Sequence, residues 1–123
     1  MTMRLLCADD DEDIRTILQL ALSLDPELDV ELVESGEAAL ARARVEKFDA
    51  ILLDGMMPGL DGYETCRQLK AEATTAKIPV IFLTAKTQRA EVDKALAIGA
   101  VACLMKPFDP MTLAGELRAA LGR

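Results

Sequence analysis

Short apolar runs alternate along the chain with segments whose apolar residues recur at helical spacing. Leu5-Leu6-Cys7-Ala8 predicts a buried first strand. Ile14, Ile17, Leu18, Ala21 and Leu24 predict a helix that Asp25-Pro26 stops. Val30-Glu31-Leu32-Val33 is less apolar and reads as a second strand at a sheet edge. Ser35 is placed to cap an Ala-rich second helix running to about Lys47, and Ala50-Ile51-Leu52-Leu53 predicts the third strand. After a Pro58-Gly59 turn, Tyr63, Cys66 and Leu69-Lys70 mark a third helix. Ile78 to Leu83 predicts a fourth strand, with Pro79 tolerable only near its start. A fourth helix begins at Thr87 or Gln88 and ends at a Gly99 C-cap, and Val101 to Met105 predicts the fifth strand. Asp109 and Pro110 then read as N-cap and first-turn proline of a last helix through Leu113, Leu117 and Leu121.

Strands that are continuously apolar rather than alternating are covered on both faces, so the sheet is parallel with helices on each side. Five strands are too few for an eight-stranded barrel. The pattern predicts an α/β, flavodoxin-like, doubly wound sheet of five parallel strands in order 2-1-3-4-5. Its 123 residues, read as one domain spanning 1–123, are enough to bury roughly two-thirds of the unfolded surface without disulfide or metal.

Composition narrows the function. The chain holds 14 Lys and Arg against 21 Asp and Glu, a formal net charge of −7, with no His and no Trp. Without His there is no Ser-His-Asp or Cys-His pair, no zinc-activated water held on imidazoles and no phosphohistidine. The acidic balance argues against binding nucleic acid through its phosphates, and one Tyr with three Phe make a poor base-stacking platform. Cys7, Cys66 and Cys103 are widely spaced, form no CxxC pair and read as free thiols of a reducing compartment. The N-terminus reaches Asp9 before a signal-peptide apolar region could form, and no apolar run approaches the ~18 residues that span a bilayer. The expectation is a cytoplasmic protein with no membrane contact.

Ligands of such sheets bind beyond the carboxyl ends of the strands, where the strand order reverses, here between strands one and three. Strand one runs into Asp9-Asp10-Asp11-Glu12-Asp13 and strand three into Asp54. Strand four ends in Thr84-Ala85 and strand five in Lys106-Pro107. Each alone has an ordinary structural reading: a helix cap, a β-residue, an exit from the sheet. Together they put carboxylates, a hydroxyl and an ammonium on one edge. Carboxylates about 4 Å apart repel by roughly 4 kcal/mol at an effective dielectric near 20, which a divalent cation or a cationic side chain offsets. An all-oxygen set without His or paired Cys favours Mg²⁺ over zinc.

The segments Ala8-Asp9-Asp10-Asp11-Glu12-Asp13-Ile14-Arg15, Leu52-Leu53-Asp54-Gly55-Met56-Met57-Pro58-Gly59-Leu60-Asp61-Gly62-Tyr63, Phe82-Leu83-Thr84-Ala85 and Met105-Lys106-Pro107-Phe108 resemble, in order and spacing, the CheY-like receiver domain of two-component response regulators. The resemblance spans essentially the whole chain. It implies that Asp54 is a phosphoacceptor whose carboxylate forms an acyl phosphate. It further implies Mg²⁺ held by Asp10 and Asp54 directly, by Asp9 through a bound water and by the Met56 backbone carbonyl. Lys106 would pair with the transferred phosphoryl oxygens, ahead of a peptide bond to Pro107 that the family usually holds cis. Thr84 would swing its hydroxyl onto the phosphoryl group and draw the following loop, Ala85 and Lys86, with it. Met56 and Lys86 occupy positions that in this family influence acyl-phosphate lifetime. Asp11 and Asp13 both read as ordinary residues of a helix start, solvated or serving as its N-cap.

The implied partners are a sensor histidine kinase or a histidine phosphotransfer protein, with an unidentified downstream protein on the face of the fourth helix, fifth strand and fifth helix. The resemblance implies a phosphorelay regulator, monomeric or weakly dimeric, and not a turnover enzyme. No effector segment follows Arg123, so the chain reads as a stand-alone receiver or one cut from a longer regulator. One position departs from the family: where it places an inward-turning aromatic, this chain has Cys103, which reads as a small buried strand residue. Cys7 and Cys66 read as core fillers. Two other classes are a haloacid-dehalogenase-like aspartyl phosphatase and a phosphorylation-independent interaction module. The first fits poorly, because position 13 is Asp rather than Thr and there is no room for a cap domain. An EF-hand loop from Asp9 fails at Ile14 and Leu20.

Overall fold

The elements follow in strict alternation: β1 (Met3–Ala8), α1 (Glu12–Leu22), β2 (Leu28–Val33), α2 (Gly36–Val45), β3 (Ala50–Asp54), α3 (Gly62–Ala71), β4 (Val80–Thr84), α4 (Arg89–Ala97), β5 (Ala102–Met105) and α5 (Leu113–Leu121). They are those of a computed structural model, which describes residues 2–84 and 89–122, the side chain of Glu91 apart. All strand pairs are parallel and the order is β2-β1-β3-β4-β5, the order read from the sequence.

The continuous apolar strands are explained by period-two alternation between two covered faces. Leu5, Cys7, Leu52, Ile81 and Leu83 pack with Leu18, Ala21 and Leu22 of α1 and Leu113 and Leu117 of α5. Leu6, Ala8, Ile51, Leu53 and Phe82 point the other way, onto Ala39 and Leu40 of α2, Cys66 and Leu69 of α3 and Ala95 of α4. Leu5, Leu6, Ile51, Leu53, Ile81 and Phe82 are fully buried; burying each such side chain contributes about 1.5–3 kcal/mol before entropy is counted.

Boundaries shift where chain chemistry is decisive. Proline cannot donate to the ladder, and β4 starts at Val80 rather than Ile78. The expected start of the fourth helix at Thr87 or Gln88 lies outside the described residues. Asp109 does not cap α5. Its carboxylate accepts from the Met111 amide at 2.9 Å, and its carbonyl accepts from Thr112 and Leu113 at 3.1 Å. A turn over residues 110–112 therefore intervenes, and α5 begins at Leu113 behind Thr112, which makes no side-chain cap. Cys103 is half-buried rather than buried, because β5 is an edge strand.

Candidate functional site

Strand register sets the site. Ala8 pairs with Leu53, and Leu83 with Asp54, so Asp9 leaves β1 level with Asp54. Thr84 lies one residue further out, opposite Met105, and Lys106 follows Met105. Lys106 starts two strand spacings, about 10 Å, from β3. Sheet twist and its four methylenes carry its Nζ to 2.9 Å from Asp9 Oδ2 and 3.3 Å from Asp54 Oδ2.

Local bonds orient the acids. Asp9 is 1% exposed, and its Oδ1 accepts from the Asp11 amide at 2.9 Å. Asp11 in turn caps α1, accepting from the Asp13 and Ile14 amides, which decides between the two candidates Asp11 and Asp13. Asp54 is 6% exposed, and its Oδ1 accepts from the Met56 amide at 3.0 Å. Asp10 is exposed. One carboxylate oxygen from each of Asp9, Asp10 and Asp54 lies within 4.8 Å of the others. Asp11 and Asp13 are outside this cluster.

The electrostatics are those of an under-compensated anionic pocket. Burial pushes the Asp54 carboxyl above its ordinary value, and the charge of Asp9 adds to this; the Met56 amide and Lys106 oppose it. Burial alone would lower Lys106, but Asp9 and Asp54 outweigh it and hold the ammonium above its usual value. Three carboxylates against one ammonium leave room for a divalent cation. The all-oxygen donor set, part buried and part solvent-facing at Asp10, fits magnesium's preference for a few carboxylates and retained waters.

Of the other residues singled out in the sequence, Thr84 is buried at the end of β4, and the Lys106–Pro107 bond is cis. Met56 stands 60% exposed at the mouth of the site. Ala85 and Lys86 lie outside the described residues. Cys7 and Cys66 are buried, and burial pushes the Cys66 thiol up to about 11, which suits inert packing. Burial raises Cys103 as well.

Two supporting residues escaped the sequence reading. Asp61 caps α3, accepting from the Glu64 amide at 2.8 Å. The Asp61–Glu64 spacing is itself a capping signature. Gly62 then lets the first turn of α3 lie against β3: a Cβ there would collide with the carbonyl oxygen of Asp54 and sit 3.0 Å from the Gly55 Cα. The backbone carrying Asp54 is thus braced by the start of the next helix.

Known proteins agree with this geometry. The response regulator receiver domain family matches residues 5–118. The chain is 38% identical over 123 residues to the alkaline phosphatase synthesis transcriptional regulatory protein PhoP of Bacillus subtilis, covering 100% of the chain and 50% of that protein. The chain therefore spans about half the length of the curated relatives it matches. Chemotaxis response regulator CheY4 of Vibrio cholerae superimposes with a TM-score of 0.90 at 31% identity, covering 98% of this chain and 99% of that one. The receiver domain of a sensor histidine kinase from Pseudomonas aeruginosa, solved with a magnesium ion coordinated in its active-site cleft, gives a TM-score of 0.87 at 29% identity, with 100% of both chains covered. A parallel 2-1-3-4-5 sheet with acids at the ends of β1 and β3 and a Lys beyond β5 is accordingly a receiver, and the chain belongs to the response regulator receiver domain family of two-component signalling.

Proposed function

We propose that residues 1–123 act as a receiver unit that is phosphorylated on Asp54 by a partner phosphohistidine, on a sensor histidine kinase or a histidine phosphotransfer protein, in a Mg²⁺-dependent transfer. The observation that carries this is the convergence of Asp9, Asp10 and Asp54, with one oxygen each inside 4.8 Å of the others, beside a Lys106 ammonium that bridges Asp9 and Asp54. An oxygen of Asp54 attacks phosphorus; the new P–O bond forms as the P–N bond breaks, and the electron pair leaves with the partner's imidazole. Asp10 and Asp54 would hold the metal directly, the Met56 carbonyl would add a ligand, and Asp9, committed to Lys106 and the Asp11 amide, would act through a water. Bound magnesium supplies charge neutralisation of the phosphoryl oxygens during transfer.

Lys106 exchanges its contact with Asp54 for the incoming phosphoryl oxygens, and Thr84 offers its hydroxyl from the adjacent strand end. Leu96, Val101 and Met105 leave exposed apolar side chains on α4, before β5 and on β5, which supports that face as the one read by a downstream protein. The chain takes up one phosphoryl group per molecule rather than turning over substrate. No described helix is long and apolar enough to cross a membrane. A cytoplasmic site of action, a monomer or weak dimer, and no direct nucleic-acid contact by these residues complete the reading, the last from the −7 charge.

Intact-mass spectrometry with acetyl phosphate and Mg²⁺ tests it. The expected result is one hydroxylamine-labile phosphoryl adduct, lost with a metal chelator and absent in Asp54→Ala. Absence of any adduct with small donors and with kinases alike refutes the assignment.

A further inference from the structure

The only tyrosine of the chain, Tyr63, occupies an unusual junction. It is buried in the first turn of α3, directly behind Gly62, which packs on Asp54. Its ring edge and hydroxyl lie 3.4–3.5 Å from where a Cβ of Gly55 would stand, so the ring rests on the residue that follows Asp54. The same ring stacks on Phe82 of β4, with centroids 4.9 Å apart and planes 22° from parallel. Lys94 of α4 holds its Nζ 4.3 Å from the Tyr63 centroid. One rigid side chain therefore touches the loop after Asp54, the strand that ends in Thr84, and α4.

Phe82 pairs across to Cys103 of β5, a small side chain packed against the same cluster. Interiors are close-packed and shift between discrete arrangements rather than deforming smoothly. A displacement of Gly55 is therefore passed to the ring that rests on it, and the contact with the Lys94 ammonium is the compliant one, since Lys94 is exposed and cation–π attraction depends on its position over the ring.

We propose that Tyr63 is a positioning residue that couples occupancy of Asp54 to α4 through its cation–π contact with Lys94. This rests on the receiver reading of the preceding subsection and adds to it the route by which the site reaches the α4 face. Because the chain has no Trp and one Tyr, its emission on excitation at wavelengths its three Phe do not absorb reports this ring alone.

The test follows Tyr63 fluorescence of the full chain during phosphorylation by acetyl phosphate with Mg²⁺, with adduct measured by intact mass in the same samples and Mg²⁺ alone as the baseline. The expected result is an emission change that tracks the adduct and is absent in Asp54→Asn. In Lys94→Gln, whose exposed side chain can be exchanged without disturbing the core, the adduct forms to the wild-type extent but the emission change loses more than about half its amplitude. A full adduct with unchanged emission overturns the coupling while leaving the receiver reading intact. An emission change of equal size in Lys94→Gln removes α4 from the route and overturns the proposal as well. No adduct in the wild type overturns the receiver reading, and the coupling falls with it.

Discussion

Asp54→Asn is expected to stabilise the metal-free protein while removing its response to magnesium. Asp54 and Asp9 are both buried, and with Asp10 they bring one oxygen each within 4.8 Å. Two charges at that separation repel by on the order of 3 kcal/mol at an effective dielectric near 20. Exposure of Asp10 screens its share, and Lys106, 3.3 Å from Asp54, offsets part of the remainder. Burial is the largest influence on Asp54 and disfavours its charged form. The balance for removing the charge while keeping the shape is a gain of about 1–2 kcal/mol, or about 4–8 °C in Tm for a domain of this size.

The pH dependence has a definite sign. Asp54 titrates higher in the folded chain than its ordinary 3.8, so across that window the folded state holds more protons than the unfolded one. Stability then falls as pH rises through the window. The cost is fully present above the folded-state value and gone below the unfolded one, so the advantage of the variant disappears on acidification toward pH 4. Magnesium at ten times its Kd adds about 1.4 kcal/mol to the wild type and far less to the variant. Thermal melts in chelator and in Mg²⁺, at neutral and acidic pH, read all of this. An Asp54→Asn protein no more stable than wild type in chelator at pH 7, or one that keeps the full magnesium shift, refutes the reasoning.

Three further outcomes follow from the same geometry. Met56 is exposed at the mouth of the site; on the reading that its apolar side chain hinders the water hydrolysing the acyl phosphate, Met56→Asn should speed decay of phospho-Asp54 about tenfold, or about 1.4 kcal/mol of barrier, and an unchanged or slower decay defeats the idea. Gly62→Ala forces α3 off the Asp54 carbonyl and should cost about 1–3 kcal/mol, whereas Gly115→Ala, with open space around it inside α5, should gain about 0.5–1 kcal/mol; denaturant melts that rank the pair otherwise contradict the packing. Asp61→Ala removes the carboxylate that accepts from the Glu64 amide at the start of α3 and should lower stability by about 1 kcal/mol by chemical denaturation; an unchanged midpoint contradicts the cap.

What the sequence made legible is what depends on period and punctuation. Continuous apolar runs at Leu5, Ala50 and Ile81 required two covered faces, and that requirement placed Asp9, Asp54, Thr84 and Lys106 on one edge before any contact was known. Ser35 was readable as a cap, and Asp11 as one of two candidates, because capping is a bond over two or three residues. Contacts across the fold were not readable. Arg4 joins Asp29, Glu31 and Glu46, and Arg42 joins Glu31 and Glu46, because β1, β2 and the end of α2 meet; nothing in the spacing of these residues announces it. Tyr63 escaped for the same reason: at helical spacing beside Cys66 and Leu69 it is one more core residue, and only the approach of Gly55, Phe82 and Lys94 distinguishes it.

Lys106 marks the boundary between these two kinds of information. Its place after strand five was legible, and so was its chemistry, but the resemblance assigned it to a phosphoryl group alone. In the fold its shorter contact is with Asp9 and its longer one with Asp54, across 97 residues of sequence in the first case. The ammonium thus stands where added positive charge is most needed, shared between the two buried carboxylates. On the proposed function, a cation held by Asp10 and Asp54 would take over that compensation and leave Lys106 free to turn toward incoming oxygens. Metal binding and the release of Lys106 would then be one electrostatic event, a coupling that three acids and a single long, flexible cation allow and a neutral pair would not.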